Sequence, residues 1–350
     1  MHVPDGFLDA PTSIATGVVA AGVIGLAVRR ASAELNERTI PLAGLTSAFV
    51  FATQMLNFPV GVGTSGHLMG GTLAAVLVGP WTAVLCMSVV FIVQALLFAD
   101  GGLTALGTNI TLMGLTTVLV GWLVTRGLLR VLPRRPQSVV PAAVVGAILS
   151  VVAASLLFVA LYAVGGTADI PLGALAASMV GWHTLIGIGE GVITGLTVGA
   201  VVAVRPDLVH AARGLMPRLQ LRDAAGNLVD APVEETPAAA KPRGLRGPVI
   251  ASCVVIALIA GVVSFFASSS PDGLEHVSAQ EGFADTAKDH ALGGWAFADY
   301  GEVGGIPVGI AGLLGVVAVL VLGWLVLRLA RVARGRAEDR TADHADALAG

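Results

Sequence analysis

Residues Val139–Ala163, VVPAAVVGAILSVVAASLLFVALYA, contain no charged side chain, and the nearest charges are Arg134 and Arg135 before them and Asp169 after. A helix of roughly 20 apolar residues spans the hydrocarbon core of a bilayer, and in water it would have no face to solvate. Working outward, comparable runs fall near 12–28, 41–58, 68–79, 82–98, 103–125, 175–204, 249–267 and 306–327. The run at 68–79 is short and Gly-rich, which admits a re-entrant segment, because irregular backbone is tolerated at membrane depth where protein buries it. Hydrophobic residues make up 55% of the 350 positions and charged ones 12%, against about a quarter charged in soluble domains. The fold class expected is all-α: a polytopic transmembrane helix bundle of about seven spans, followed by a C-terminal two-span hairpin.

Charge placement sets the expected orientation. With the amino terminus outside, the inner loops hold Arg29, Arg30 and Arg38, then Arg126, Arg130, Arg134 and Arg135, then the segment 205–246, then 328–340. Of the 20 Lys and Arg residues only Lys288 falls outside, and the carboxyl terminus lies inside. The chain divides into a bundle over 1–204, a Pro- and Ala-rich cytoplasmic linker over 205–247, a hairpin over 248–330 and a disordered polar tail over 331–350. No basic residue precedes Arg29, so the start does not read as a secretory signal. Residue 1 reads as the mature terminus, with Met1 kept because His2 is bulky for the enzyme that removes initiator Met.

Several functions are excluded by what the sequence lacks. There is no phosphate loop, no His-Glu-x-x-His and no Gly-x-Ser-x-Gly, so neither nucleotide chemistry nor a hydrolase is expected, and any ATP hydrolysis belongs to other chains. Cys86 and Cys253 stand alone in apolar runs, offering neither a disulfide nor a thiolate site. No basic patch suits nucleic acid, so the expected surroundings are membrane lipid.

The histidines carry the chemistry that remains. A free amine followed by His2 offers three nitrogens: the Met1 amine, the His2 backbone nitrogen and the His2 ring. They close a five- and a six-membered chelate ring around a metal, nearly in a plane, with one corner open. His67, in Gly61-Val-Gly-Thr-Ser-Gly-His-Leu-Met-Gly-Gly71, lies on the same exterior side and could fill that corner. Four coplanar nitrogens suit Ni(II) or Cu(II) and can hold Co(II). The competing reading makes His2 an exposed terminal residue and His67 an interhelical one. His183 and Glu190, seven apart in one run, share a helix face about two turns apart. They read either as a polar coupling or ion-path pair, or as an interface histidine and a carboxylate bonded to a neighbouring helix. Gln54, Asn57, Gln94 and Asn109 near span ends orient the loops around His67 or simply pack between helices. Asp5-Gly6 reads as a turn that returns the terminus inward. The exterior loop 268–305, with Pro271-Asp-Gly as a turn, is rich in acidic residues and His and could gather cations loosely.

Met1-His-Val-Pro-Asp-Gly-Phe-Leu8 resembles the amino terminus of the CbiM/NikM substrate-capture components of energy-coupling-factor cobalt and nickel transporters. Asn57–Gly71 and Trp182–Glu190 resemble that family's second and third motifs, and together the likeness covers roughly residues 1–205. Residues 248–330, with Pro271-Asp-Gly-Leu-Glu275, resemble the PDGLE segment that is similar to the small CbiN/NikN partner. The resemblance implies a metal site of Met1, His2 and His67, and Co(II) or Ni(II) as the transported ligand with no cofactor. It also implies a CbiQ/NikQ-like transmembrane coupling subunit and CbiO/NikO-like cytoplasmic ATPases as partners, in a bacterial cell membrane. An alternative from another class is a membrane accessory or assembly protein that recruits transporter partners without binding metal.

Overall fold

The computed structural model describes residues 1–35, 39–61, 63–215, 220–222, 228–230 and 246–349. Most of the expected linker therefore lies outside the described residues. Among the described residues the regular structure is helical apart from two short hairpins. Helix α1 (Ala10–Ala31) starts at Asp9, whose side chain accepts the Thr12 N–H at 2.9 Å, with Pro11 in the first turn. That is the capping chemistry that starts a helix. Helix α2 (Thr39–Gln54) leads into an antiparallel hairpin, β1 (Phe58–Gly61) and β2 (Thr64–Gly66). Then come α3 (Gly71–Val78), α4 (Pro80–Leu97), and α5 (Leu106–Asn109) joined to α6 (Thr117–Leu128) by a π-helical stretch, Ile110–Thr116. The long helices α7 (Val139–Gly165) and α8 (Leu172–Val204) follow. A second small hairpin pairs β3 (Gln220–Arg222) with β4 (Leu228–Asp230). After it come α9 (Arg246–Gly261), the short helix α10 (Gly273–Glu281) and α11 (Val308–Ala349). Helix α11 continues beyond its apolar part, through the tail that composition reads as unstructured.

Among the described residues seven helices are long and apolar enough to cross a membrane: α1, α4, α5–α6, α7, α8, α9 and Val308–Arg331 of α11. Two expected spans fall short of that length. Helix α2 has 16 residues and α3 only eight. All eight residues of α3 are buried, between Gly70 and Gly79 in left-handed backbone that glycine alone adopts freely. The short Gly-rich run is thus an interior segment wrapped in protein, which is how a non-spanning backbone is tolerated at depth. Large apolar side chains left exposed, such as Ile14, Leu196, Val254 and Leu329, lie on helices long enough to face lipid.

Small residues let the helices approach. On α8, Gly187, Gly191 and Gly195 recur every four residues against Ile148 and Val144 of α7, where an added Cβ would come within 2.7–3.1 Å. Close approach over such a ridge is a main source of helix association where no hydrophobic drive exists. Helix α3 meets α6 in the same way: a Cβ on Gly71 would collide with Thr117 and one on Gly121 with Thr72. Gly121→Val should therefore force α6 off α3 and lower thermal stability in detergent by about 1–3 kcal/mol. A melting curve unchanged from that of the parent chain would contradict this packing.

Candidate metal centre

The amino-terminal segment is folded back and held from several sides. Asp5 accepts hydrogen bonds from the Leu103 N–H (3.1 Å), the Thr104 N–H (2.8 Å) and the Thr104 hydroxyl (2.5 Å). Gly6 turns at φ 96°, where a side chain would run into the Thr286 carbonyl. Asn109 clamps Val3 twice, accepting its N–H at 2.8 Å and donating to its carbonyl at 3.1 Å. Lys288 donates its backbone N–H to the Asp5 carbonyl at 2.7 Å, and Phe7 packs edge-on against Phe283, with centroids 5.0 Å apart. Met1 ends up 3% exposed.

These constraints place the Met1 amine 2.6 Å from His67 Nε2. On the far side of that ring, Nδ1–H donates to the Leu68 carbonyl at 3.0 Å. This fixes the tautomer and leaves the Nε2 lone pair facing the amine, as a metal ligand requires. The His2 ring stacks on His67, with centroids 4.9 Å apart and planes 23° apart. Its Nε2 faces Gln94 Oε1 at 3.2 Å and its Nδ1 faces Asp100 Oδ1 at 3.1 Å. Burial pushes the His2 ring down to about 4, against the opposing pull of Asp100, a shift toward the neutral form that binds metal.

Asp272 is the residue that local sequence reading misses. Its Oδ2 lies 2.6 Å from the Met1 amine and 3.7 Å from His67 Nε2. Burial opposes its charge, yet the ammonium and the His67 ring hold its carboxyl well below the usual range. Asp100 is the second such residue. Its Oδ2 accepts the Tyr300 hydroxyl at 2.6 Å, and Gln94 donates to the same hydroxyl at 3.3 Å. Ala99, Asp299 and Tyr300 all have positive φ, an uncommon state for residues with side chains. All three flank this contact, and such strain persists where surroundings enforce it.

His183 and Glu190 do share one buried face of α8, but they do different things. Glu190 accepts the Met69 and Gly70 N–H groups at 2.7 and 3.1 Å, tying α8 to the backbone just after His67. His183 Nδ1 donates to the Met179 carbonyl at 2.8 Å, while Nε2 is buried with no hydrogen-bond partner among the described residues. Neither meets the Met1–His67 pair in a hydrogen bond or ion pair among the described residues. Gln54 donates to the Met69 carbonyl at 2.8 Å, so Gln54, Gln94 and Asn109 all border the candidate centre. Above it opens a cavity of about 1040 Å³ lined by His2, His67, Asp100, Asp272 and Tyr300 among others. Among the described residues no trio of His, Cys, Asp and Glu side chains stands at metal-binding spacing.

The family described as "Cobalt uptake substrate-specific transmembrane region", CbiM, matches residues 2–208, and the PDGLE domain matches 246–332. A protein of Archaeoglobus fulgidus, named for fused nickel transport (NikMN), is 32% identical over 337 residues, covering 95% of this chain and all of that one. A Haloquadratum walsbyi protein named for metal transport is 39% identical over 209 residues, covering 60% of this chain and 93% of the relative. A crystal structure described as a truncated transition metal transporter is similar at a TM-score of 0.51 and 30% identity, over 58% of this chain and 99% of that one.

Proposed function

The chain belongs to the CbiM family of cobalt-uptake substrate-specific transmembrane proteins, fused to a PDGLE domain, and from that premise we propose that it captures Co(II) or Ni(II) through Met1, His2 and His67. It is a multi-pass membrane component of cobalt/nickel transport and not an enzyme. The ligands in this reading are the Met1 amine, the His2 backbone nitrogen, His2 Nδ1 and His67 Nε2. The supporting observation is the Met1 amine lying 2.6 Å from His67 Nε2, with the histidine already in the competent tautomer. With metal–nitrogen bonds of about 2.0 Å, adjacent corners of a square lie about 2.8 Å apart, so this pair needs little movement to hold an ion between them. The six-membered chelate ring closes through His2 Nδ1, which now faces Asp100, so loading exchanges that contact for the metal. Four nitrogens in a plane favour Ni(II) on geometry, and the same set holds Co(II).

The site would face outward, with the amino terminus outside and the carboxyl terminus inside a bacterial cell membrane. Residues 1–204 would form the capturing bundle and 248–330 the fused partner-like unit. A CbiQ/NikQ-like coupling subunit and CbiO/NikO-like ATPases would supply the energy for inward release. Calorimetric titration of the purified chain with Ni(II) and Co(II) tests the reading. One tight site is expected, with His67→Ala weakening it by about 100-fold through the loss of one of four nitrogens. A His67→Ala variant that binds like its parent would overturn the ligand set.

A further inference from the structure

Pro271-Asp-Gly-Leu-Glu275 is fixed beside the candidate centre by a distinct contact of each residue. The Pro271 carbonyl accepts the Ser65 N–H at 2.9 Å, two residues before His67. Asp272 is the N-cap of α10: its Oδ1 accepts the Leu274 and Glu275 N–H groups at 2.7 and 3.0 Å, and Glu275 accepts the Asp272 N–H at 2.9 Å in return. That reciprocal box fixes the cap rigidly. Gly273 has no room for a side chain, since a Cβ there would come within 2.6 Å of Ile186 and 3.2 Å of the His183 ring. Leu274 is fully buried. The segment is thus seated against β2 and α8, and what it presents to the centre is the one oxygen the cap leaves free, Asp272 Oδ2, 2.6 Å from the Met1 amine.

A buried carboxylate that keeps its charge is stabilised by a positive partner as well as by hydrogen bonds. In the empty centre the terminal ammonium fills that role. An ion bound to the amine and to His67 Nε2 would stand within a coordination shell or two of the same oxygen, which is 2.6 and 3.7 Å from those two nitrogens. We infer that Asp272 is a positioning residue and the standing counter-charge of the centre, seating the amine against His67 when empty and offsetting part of the divalent ion's charge when loaded. The inference rests on the metal-capture reading above and assigns the fused C-terminal segment a direct part in affinity.

Capping and charge can be separated, because Asn and Ser cap helices about as well as Asp while carrying no charge. Asp272→Asn and Asp272→Ser, with Asp272→Ala and His67→Ala beside them, are titrated with Ni(II) as purified full-length chains, and the visible spectrum of the bound nickel is recorded. Asp272→Asn and Asp272→Ser are expected to lose at least about tenfold in affinity, with the nickel absorption bands unmoved because the ligand atoms are unchanged. Parental affinity in both would overturn the inference. So would weak binding by Asp272→Ala alone, which would reduce the residue to a cap. A shifted nickel band in Asp272→Asn would make Asp272 a ligand and overturn it from the other side. If His67→Ala also binds normally, the chelate itself fails and this inference falls with it, a result distinct from the first three.

Discussion

Lengthening the chain by two residues before Met1 is expected to abolish metal binding, even though no side chain of the site is touched. The new peptide bond turns the Met1 amine into an amide, which binds a metal only after losing its N–H proton, and it takes away the free terminal amine that anchors the chelate. It also removes the ammonium from Asp272, 2.6 Å away in a site where Met1 is 3% exposed. The incoming residues have no space there, since each advances the chain by about 3.8 Å. Two residues are needed rather than one. A single added residue would make His2 the third residue, and a free amine, two backbone amides and a third-position histidine form a four-nitrogen chelate of their own. Met-Gln is a suitable pair, because the bulky second residue keeps the initiator in place. Calorimetry with Ni(II) should show heat only for the parent chain, and one-to-one binding by the extended chain at parental affinity would move the site away from the terminus.

That result would turn on a contact between residues 1 and 67, and the sequence carried both halves of it. His2 behind a free amine and His67 in a glycine-rich stretch are local patterns, and the Asp5-Gly6 turn that returns the terminus can also be read locally. The apolar runs gave the helices for the same reason, since a span is a property of consecutive residues. What could not be read is what depends on distant chain meeting. Asp272 is 271 residues from the amine it faces, and its own neighbours announce only a turn. Asp100 and Tyr300 are 200 apart. Glu190 was legible as a costly charge in a span, but the acceptor it became needs the Met69 and Gly70 N–H groups, which no periodicity predicts. Helix α3 shows the limit on the fold side. Its residues are as apolar as a span, and burial on every side rather than composition makes it an eight-residue interior segment.

The C-terminal unit bears on the candidate centre at several places, which fits its fusion into one chain. Asp272 meets the amine, Tyr300 holds the Asp100 carboxylate that faces His2, and Lys288 fixes Asp5. Its helices are anchored through small residues too: Gly312 and Gly315 of α11 lie against Met55 and Phe51 at the end of α2. The PDGLE unit thus reaches the candidate centre through the segment between α9 and α11, while both helices pack on α2, which leads into the His67 loop.

Glu190→Ala is expected to be the most damaging single substitution for stability near the site. The Glu190 carboxylate is wholly buried and accepts two backbone N–H groups, those of Met69 and Gly70. Removing it leaves both donors without an acceptor in the interior, at about 1–3 kcal/mol each, and opens a cavity beneath the loop. A total near 4 kcal/mol is about a thousandfold in the folding equilibrium. Glu190→Gln is the informative companion, because its amide oxygen can still accept while its NH2 group faces a donor, so an intermediate loss is expected. If Glu190 acts instead as a carrier on an ion path, Glu190→Gln should leave thermal unfolding in detergent unchanged and impair only uptake. A graded fall in melting temperature from parent to Gln to Ala, with Ni(II) affinity falling in step, would identify the carboxylate as the tie that holds His67 in place. Its position seven residues beyond His183 on α8 would then reflect where the loop lands on the helix.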